Sequence, residues 1–146
     1  MFSPFNSRAT SAYQRISVET SMHTIDQHQL VSLLLDGVLS AIATARGAMA
    51  RGDVAAKCNG ISKAVRILEE GLMTALDRES GGEVAANLEA VYDYALRRLI
   101  EANAGNDDAK LQEVARLIEP IALAWKEMKK STEAANDVAQ PALAEA

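Results

Sequence analysis

The stretch that most constrains the fold of this chain runs from Asn87 to Asp107, with Val84 leading into it. At about 100° per residue, Val84, Leu88, Val91, Tyr92, Ala95, Leu99 and Ala102 share one face, and Leu96 and Ile100 lie beside it and widen the apolar arc. On the polar side, Asp93 with Arg97 and Arg97 with Glu101 are opposite charges four residues apart, a spacing that supports a helix. The run Asn103-Ala-Gly105-Asn-Asp supplies the stop, with Gly105 as the expected left-handed residue. This is an amphipathic helix with a defined end and more apolar surface than one neighbour covers. It belongs in a multi-helix assembly.

Three more segments carry the same period. Asp26-x-x-Gln29 reads as a capping box, and a helix over about residues 25–50 follows. Leu30, Leu34, Val38, Ala41, Ala45 and Ala48 mark one face of it, and Val31, Leu35, Leu39, Ile42 and Met49 continue the arc past half the circumference. Such a helix needs two coverings: a bundle core, and a further element or a partner. Arg51-Gly52-Asp53 is a short turn, with Asp53 placed to cap a helix over about 53–77 that buries Ile61, Ala64, Val65, Leu68, Leu72, Ala75 and Leu76. Gly60 and Gly71 inside it each cost about 1 kcal/mol against alanine and point to close helix approach. Glu79-Ser80-Gly81-Gly82 breaks the chain before the helix over about 83–104.

Asn106 or Asp107 can cap a last helix over about 107–130, whose seam of Leu111, Val114, Ile118, Ile121, Trp125 and Met128 alternates threes and fours. Pro120 removes one hydrogen bond and clashes with the turn before it; since the seam stays in phase, a kink rather than a stop is expected. Residues 131–146 are alanine-rich, lack bulky periodicity and contain Pro141, which reads as a disordered tail. Residues 1–21 keep no period of 3.6 and read as a loose arm in which Tyr13, Ile16 and Val18 are apolar enough to dock on a surface. Connections this short force neighbours to run in opposite directions, so residues 1–130 are read as one all-α domain, an antiparallel up-down four-helix bundle with its arm.

Composition bounds the function. Aromatics are 4% against 49% hydrophobic residues, so aliphatic side chains must fill the core. A net charge of −5 argues against nucleic acid or an anionic membrane as main partner. The single cysteine, Cys58, permits no intrachain disulfide and fits a reducing compartment, the cytosol. No basic segment followed by an apolar run opens the chain, and no uninterrupted apolar stretch nears the roughly 18 residues of a membrane span.

Residue chemistry offers little for catalysis. His23 and His28 are five apart, too far for a helical metal pair, and a surface location is the simpler reading. His28 is followed by Gln29-Leu-Val-Ser, not by the Lys-Gly of a phosphotransfer histidine bundle. No glutamate has a histidine three residues on, which removes the carboxylate-bridged metal bundles. Cys58 has no histidine close in sequence and reads as a packed thiol, and Arg97-Arg98 as part of a solvated face. No enzyme activity, metal or cofactor is expected.

Five stretches, taken together and in order, resemble the flagellar secretion chaperones of the FliS type: "AYQRISVET" (Ala12 to Thr20), "QLVSLLLDGVLSAI" (Gln29 to Ile42), "SKAVRILEEGLMTALD" (Ser62 to Asp77), "NLEAVYDYALRRLIEAN" with the following "ND", and "ALAWKE" (Ala122 to Glu127). The resemblance implies an antiparallel four-helix bundle in the cytosol that binds the disordered C-terminal segment of flagellin. It also implies that binding prevents premature polymerisation and that the complex is presented to the cytoplasmic domain of the export-gate protein of the flagellar type III system. On that reading Leu35, Leu39, Ile42, Tyr92, Leu96 and Ile100 line the client groove, and the arm at Tyr13, Ile16 and Val18 caps it when empty. The alternative is a dimerising adaptor or regulatory bundle without flagellin as client, since a homodimer covers the same apolar arcs.

Overall fold

A computed structural model describes residues 26–145, with side chains placed through residue 128. The described backbone is helical, with no strand. Helix α1 spans Gln27–Ala50, α2 Val54–Arg66, a π-helical segment Ile67–Leu72, α3 Met73–Ala75, α4 Gly82–Gly105 and α5 Asp108–Glu145. Since α2, the π segment and α3 follow one another without a break, there are four rods.

Local chemistry sets their ends. Asp26 accepts from the Gln29 amide at 2.7 Å while the Gln29 side chain accepts from the Asp26 amide, so the expected capping box forms. At the other end of α1 the Gly52 amide reaches Met49 O and the Asp53 amide reaches Ala48 O, with Gly52 at φ +72°. That two-bond closure requires a left-handed residue, which only glycine adopts without strain. Asp53 then caps α2 through the Ala56 amide. The end of α4 departs from expectation: Gly105 stays helical and Asn106 is the left-handed residue, at φ 48°. Asparagine is among the few side chains that tolerate this region, and here its amide oxygen has a second use, as a partner for Lys57. Asp107 caps α5 through the Ala109 amide at 3.0 Å.

Cross-contacts give the topology. The end of α1 meets the start of α5 through Arg46 and Asp108, and the start of α1 meets α5 far along its length through His28 and Trp125. The start of α2 meets the end of α4 through Lys57 and Asn103, and α4 meets α5 through Arg98 and Glu113. Neighbours therefore run antiparallel around a ring of α1, α2, α4 and α5, the up-down bundle expected of short connections. The core holds Leu34, Leu35, Val38 and Ile42 from α1, Ile61 and Leu68 from the second rod, Tyr92 and Leu99 from α4, and Leu111, Val114 and Ile118 from α5. Gly60 sits where a Cβ would be 3.0 Å from that of Ala45 and 3.1 Å from Ala41 O, which is the close α1–α2 approach its position in the sequence suggested.

Several expectations are revised. Ile67 and Leu68 are adjacent yet both buried, as are Gly71 and Leu72, because the wider π turn carries neighbouring residues together onto the inner side. Val84 is 67% exposed and Ala85 takes its place in the core. Glu101 pairs with Arg98 and Lys110 rather than Arg97, while the Asp93–Arg97 pair forms at 3.2 Å. The seam of α5 passes from Ile118 to Ala122, leaving Ile121 and Trp125 half-buried and Met128 55% exposed. Helix α5 continues through Pro120, and its described backbone is helical to Glu145. Alanine and glutamate are strong helix formers and can extend a helix already nucleated by packing. Finally, α1 does have the length and composition of a membrane span, as the core helix of a bundle also can; its bulky residues Val31, Leu34, Leu35, Val38 and Ile42 are packed against the other helices.

Candidate functional site

Among the described residues, no group of histidine, cysteine and carboxylate side chains is arranged to hold a metal ion. His28, read from sequence as a surface residue, instead stacks on Trp125 with ring centroids 5.1 Å apart, and both its ring nitrogens are buried without a hydrogen-bond partner. The Trp125 indole N–H donates to the His28 carbonyl at 3.1 Å, so the pair ties α5 to the first turn of α1. Cys58 is half-buried with its Sγ 3.4 Å from Asn103 Oδ1, a packed thiol as expected.

Most exposed charge is spent on neighbours. Arg98 Nε meets Glu113 at 2.6 Å, the Tyr94 hydroxyl donates to the same carboxylate at 2.8 Å, and Lys110 closes on Glu101 at 3.1 Å. The Arg98 guanidinium, then the Tyr94 hydroxyl, hold the Glu113 carboxyl below its ordinary range; the Glu113 carboxylate in turn pushes the Tyr94 phenol up. Arg98 with its acids is thus a tie between α4 and α5. One pocket, about 430 Å³ between the end of α1 and the start of α5, is bridged by a two-bond Arg46–Asp108 pair at 2.7 and 3.0 Å. Its charges satisfy each other, and it has little apolar surface to offer.

A second groove, about 320 Å³, lies between α2 with its π segment and α4. Ile61, Val65 and Ile100 are its apolar residues, and Arg66, Glu69 and Glu70 stand on its α2 side. Ile100 is 58% exposed there. An isoleucine held open to water on a rigid helix, beside a half-buried valine, is surface that a partner can cover.

The six residues read from sequence as groove-lining separate into three environments. Leu35, Ile42 and Tyr92 are enclosed in the core, and burial pushes the Tyr92 phenol up to about 12. Leu39 and Leu96 are half-buried against the core, and Ile100 alone is exposed. Helix α1 packs against α2, the π segment and α5, so further elements cover most of its apolar arc, with Leu33 left 39% exposed. The capping residues Tyr13, Ile16 and Val18 lie outside the described residues. The contribution of α2 to an open groove was missed because Val65 has the same spacing as its buried neighbours. The tandem pairs Ile67-Leu68 and Gly71-Leu72 were the available sign of a π turn.

With a bundle, a closed ring of helices and a surface groove in place, likeness to known proteins decides the family. The family model described as flagellar protein FliS matches residues 9–132. The chain belongs to the FliS family. It is 43% identical to the flagellar secretion chaperone FliS of Salmonella typhimurium over 85% of this chain and 92% of that protein. It is 42% identical to the flagellar secretion chaperone FliSB of Pseudomonas aeruginosa, over 81% and 93% of the two chains. With FliS of Bacillus subtilis the figures are 35%, 83% and 86%. FliS is a family of flagellar secretion chaperones and not of enzymes. The role of a secretion chaperone implies a secreted client in general, and the part of the FliS match that lies in the described residues includes both walls of the α2–α4 groove.

Proposed function

We propose that this FliS chain is a cytosolic export chaperone for flagellin. It binds the disordered C-terminal segment of flagellin, keeps the monomers from premature polymerisation, and presents them to the cytoplasmic domain of the export-gate protein. The observation that carries this reading is the exposed Ile100 beside Val65 on the α2–α4 groove, in a chain of this family. A disordered segment that folds on binding gives up about 2–5 kcal/mol in ordering, which only burial of apolar area offsets. Leu96 and Leu39, half-buried at the margins of α4 and α1, extend the surface available to a long client. Leu35, Ile42 and Tyr92 support those margins from within.

The test is titration of the full chain with the C-terminal segment of its own organism's flagellin, followed by calorimetry and circular dichroism. Submicromolar binding with a gain in helicity and a negative heat-capacity change supports coupled folding on an apolar surface. Absence of binding by a well-folded chain would remove flagellin as the client. Light scattering then discriminates the dimerising adaptor, which self-associates without flagellin, from the chaperone, which forms a one-to-one complex. The arm at Tyr13, Ile16 and Val18 is proposed to cover the client surface when empty. Deletion of residues 1–18 then raises hydrophobic-dye binding by the free chain, and an unchanged signal sinks the cap.

A further inference from the structure

Beside the α2–α4 groove stand three charges that have no ion-pair partner among the described residues: Arg66, Glu69 and Glu70. Their spacing makes this notable, since Glu69 and Glu70 follow Arg66 by three and four residues, the intervals at which helix pairs ordinarily close. On α4 those intervals are used: Asp93 meets Arg97 at 3.2 Å and Arg98 meets Glu101 at 3.0 Å. On α5 and its neighbours, Asp108, Glu113 and Lys126 are all paired across helices. The groove leaves charge unspent next to the exposed Ile100. Two carboxylates against one guanidinium give that edge a net charge of minus one.

Resting on the reading of the chain as a flagellin chaperone, we propose that this groove is charge-selective. It takes an amphipathic helical segment of the client whose apolar side chains seat on Val65 and Ile100 and whose lysine or arginine reaches Glu69 and Glu70. A bound segment takes water away from these carboxylates, and a carboxylate losing water without gaining a cation opposes binding. An apolar segment lacking the cation is thereby rejected, and one carrying it is held in one register. Val65 and Ile100 provide area; the acids provide choice.

The experiment titrates the full-length chain with the flagellin C-terminal segment at low and at high salt. The same titration is run for Glu69→Gln/Glu70→Gln and for Glu69→Lys/Glu70→Lys. Both pairs of substitutions leave the core untouched, and an unchanged far-UV spectrum and melting temperature certify the fold. In the wild type, binding weakens with salt. The glutamine pair is expected to bind about tenfold more weakly and to lose much of that salt dependence, and the lysine pair to bind more weakly still. Neutralising one lysine or arginine in the flagellin segment should reproduce the loss, and combining it with the glutamine pair should add nothing further, the mark of a direct couple. Lysine and glutamine pairs that bind as the wild type does, with the same salt dependence, overturn the charge-selective groove and leave flagellin as client. A wild-type chain that does not bind the segment overturns the client reading and this proposal with it.

Discussion

The ammonium of Lys57, in the first turn of α2, lies 2.6 Å from the side-chain oxygen of Asn106, the left-handed residue that ends α4. It also donates to the Asn103 carbonyl at 3.0 Å, one of the terminal carbonyls for which the helix has no internal donor. A cation at the negative end of a helix is favourably placed, and Lys57 is 4% exposed, so the contact is shielded from water. Lys57 therefore closes the end of α4 from across the bundle. Lys57→Ala is expected to cost about 1–3 kcal/mol, since it removes the donor to a part-buried carbonyl and leaves a gap where a buried side chain packed. Chemical denaturation measures it, and a loss no larger than that of an exposed Lys63→Ala control would show that the contact adds nothing.

The two glycines of the second rod should respond unequally to one added methyl. A Cβ on Gly60 meets backbone, Ala41 O and Ala45 N at 3.1 Å, and the Ala45 Cβ at 3.0 Å, so α1 and α2 must move apart. Gly60→Ala should destabilise by about 1–3 kcal/mol despite alanine's better propensity. A Cβ on Gly71 meets the end of the Leu34 side chain at 3.0 and 3.1 Å, which can rotate away. Gly71→Ala should fall within about 1 kcal/mol of wild type, its propensity gain offsetting the crowding. Thermal melts of both variants check the order.

Acid should loosen the ties between α5 and the rest before it reaches the core. Asp108 is held below its ordinary value of 3.8 by its hydrogen bonds from Arg46, and Glu113 below 4.5 by Arg98 and Tyr94. A carboxyl lowered in the folded state contributes stability that is complete above its unfolded value and is lost as pH falls through the folded one. The melting temperature should therefore be level at neutral pH and fall below about pH 4.5. Asp108→Asn and Glu113→Gln should each lower the neutral plateau slightly and flatten the acid limb. An unaltered acid limb in the double variant would assign the acid sensitivity to other carboxylates.

Groove and core residues should separate stability from binding. Ile100→Asp removes exposed apolar surface and is expected to leave the melting temperature nearly unchanged while abolishing binding of the flagellin segment. Leu35→Ala leaves a cavity beneath α1 and should cost about 2–5 kcal/mol of stability, with binding reduced only as far as the folded fraction falls. Equal binding by Ile100→Asp and wild type would move the client off the α2–α4 groove.

Capping, turn and face patterns are local, and they were legible. Asp26 with Gln29, Asp53, Gly52 and Asp107 act within a few residues of themselves, so their roles follow from spacing alone. The same holds for the apolar period of each helix and, through short connections, for the antiparallel order of the rods. Where two residues compete for one local task, as Gly105 and Asn106 do at the end of α4, sequence names the turn but not the residue; the reach of Lys57 from another helix accompanies the choice of Asn106.

The open groove was legible only in part, because exposure is a property of neighbours. Leu35 and Ile100 both widen an amphipathic arc, and periodicity treats them alike. Tertiary packing separates them: α1 is flanked by α2, the π segment and α5 and loses Leu35 to the core, whereas Ile100 faces a groove between α4 and α2 that no side chain of the described residues fills. By itself the sequence determined that four amphipathic rods would form, where the first three would start and stop to within a residue or two, and broadly which side of each would seek cover. Only the tertiary structure decided which part of that surface stayed open and which charges were left beside it, because burial and ion pairing depend on residues far away in the chain.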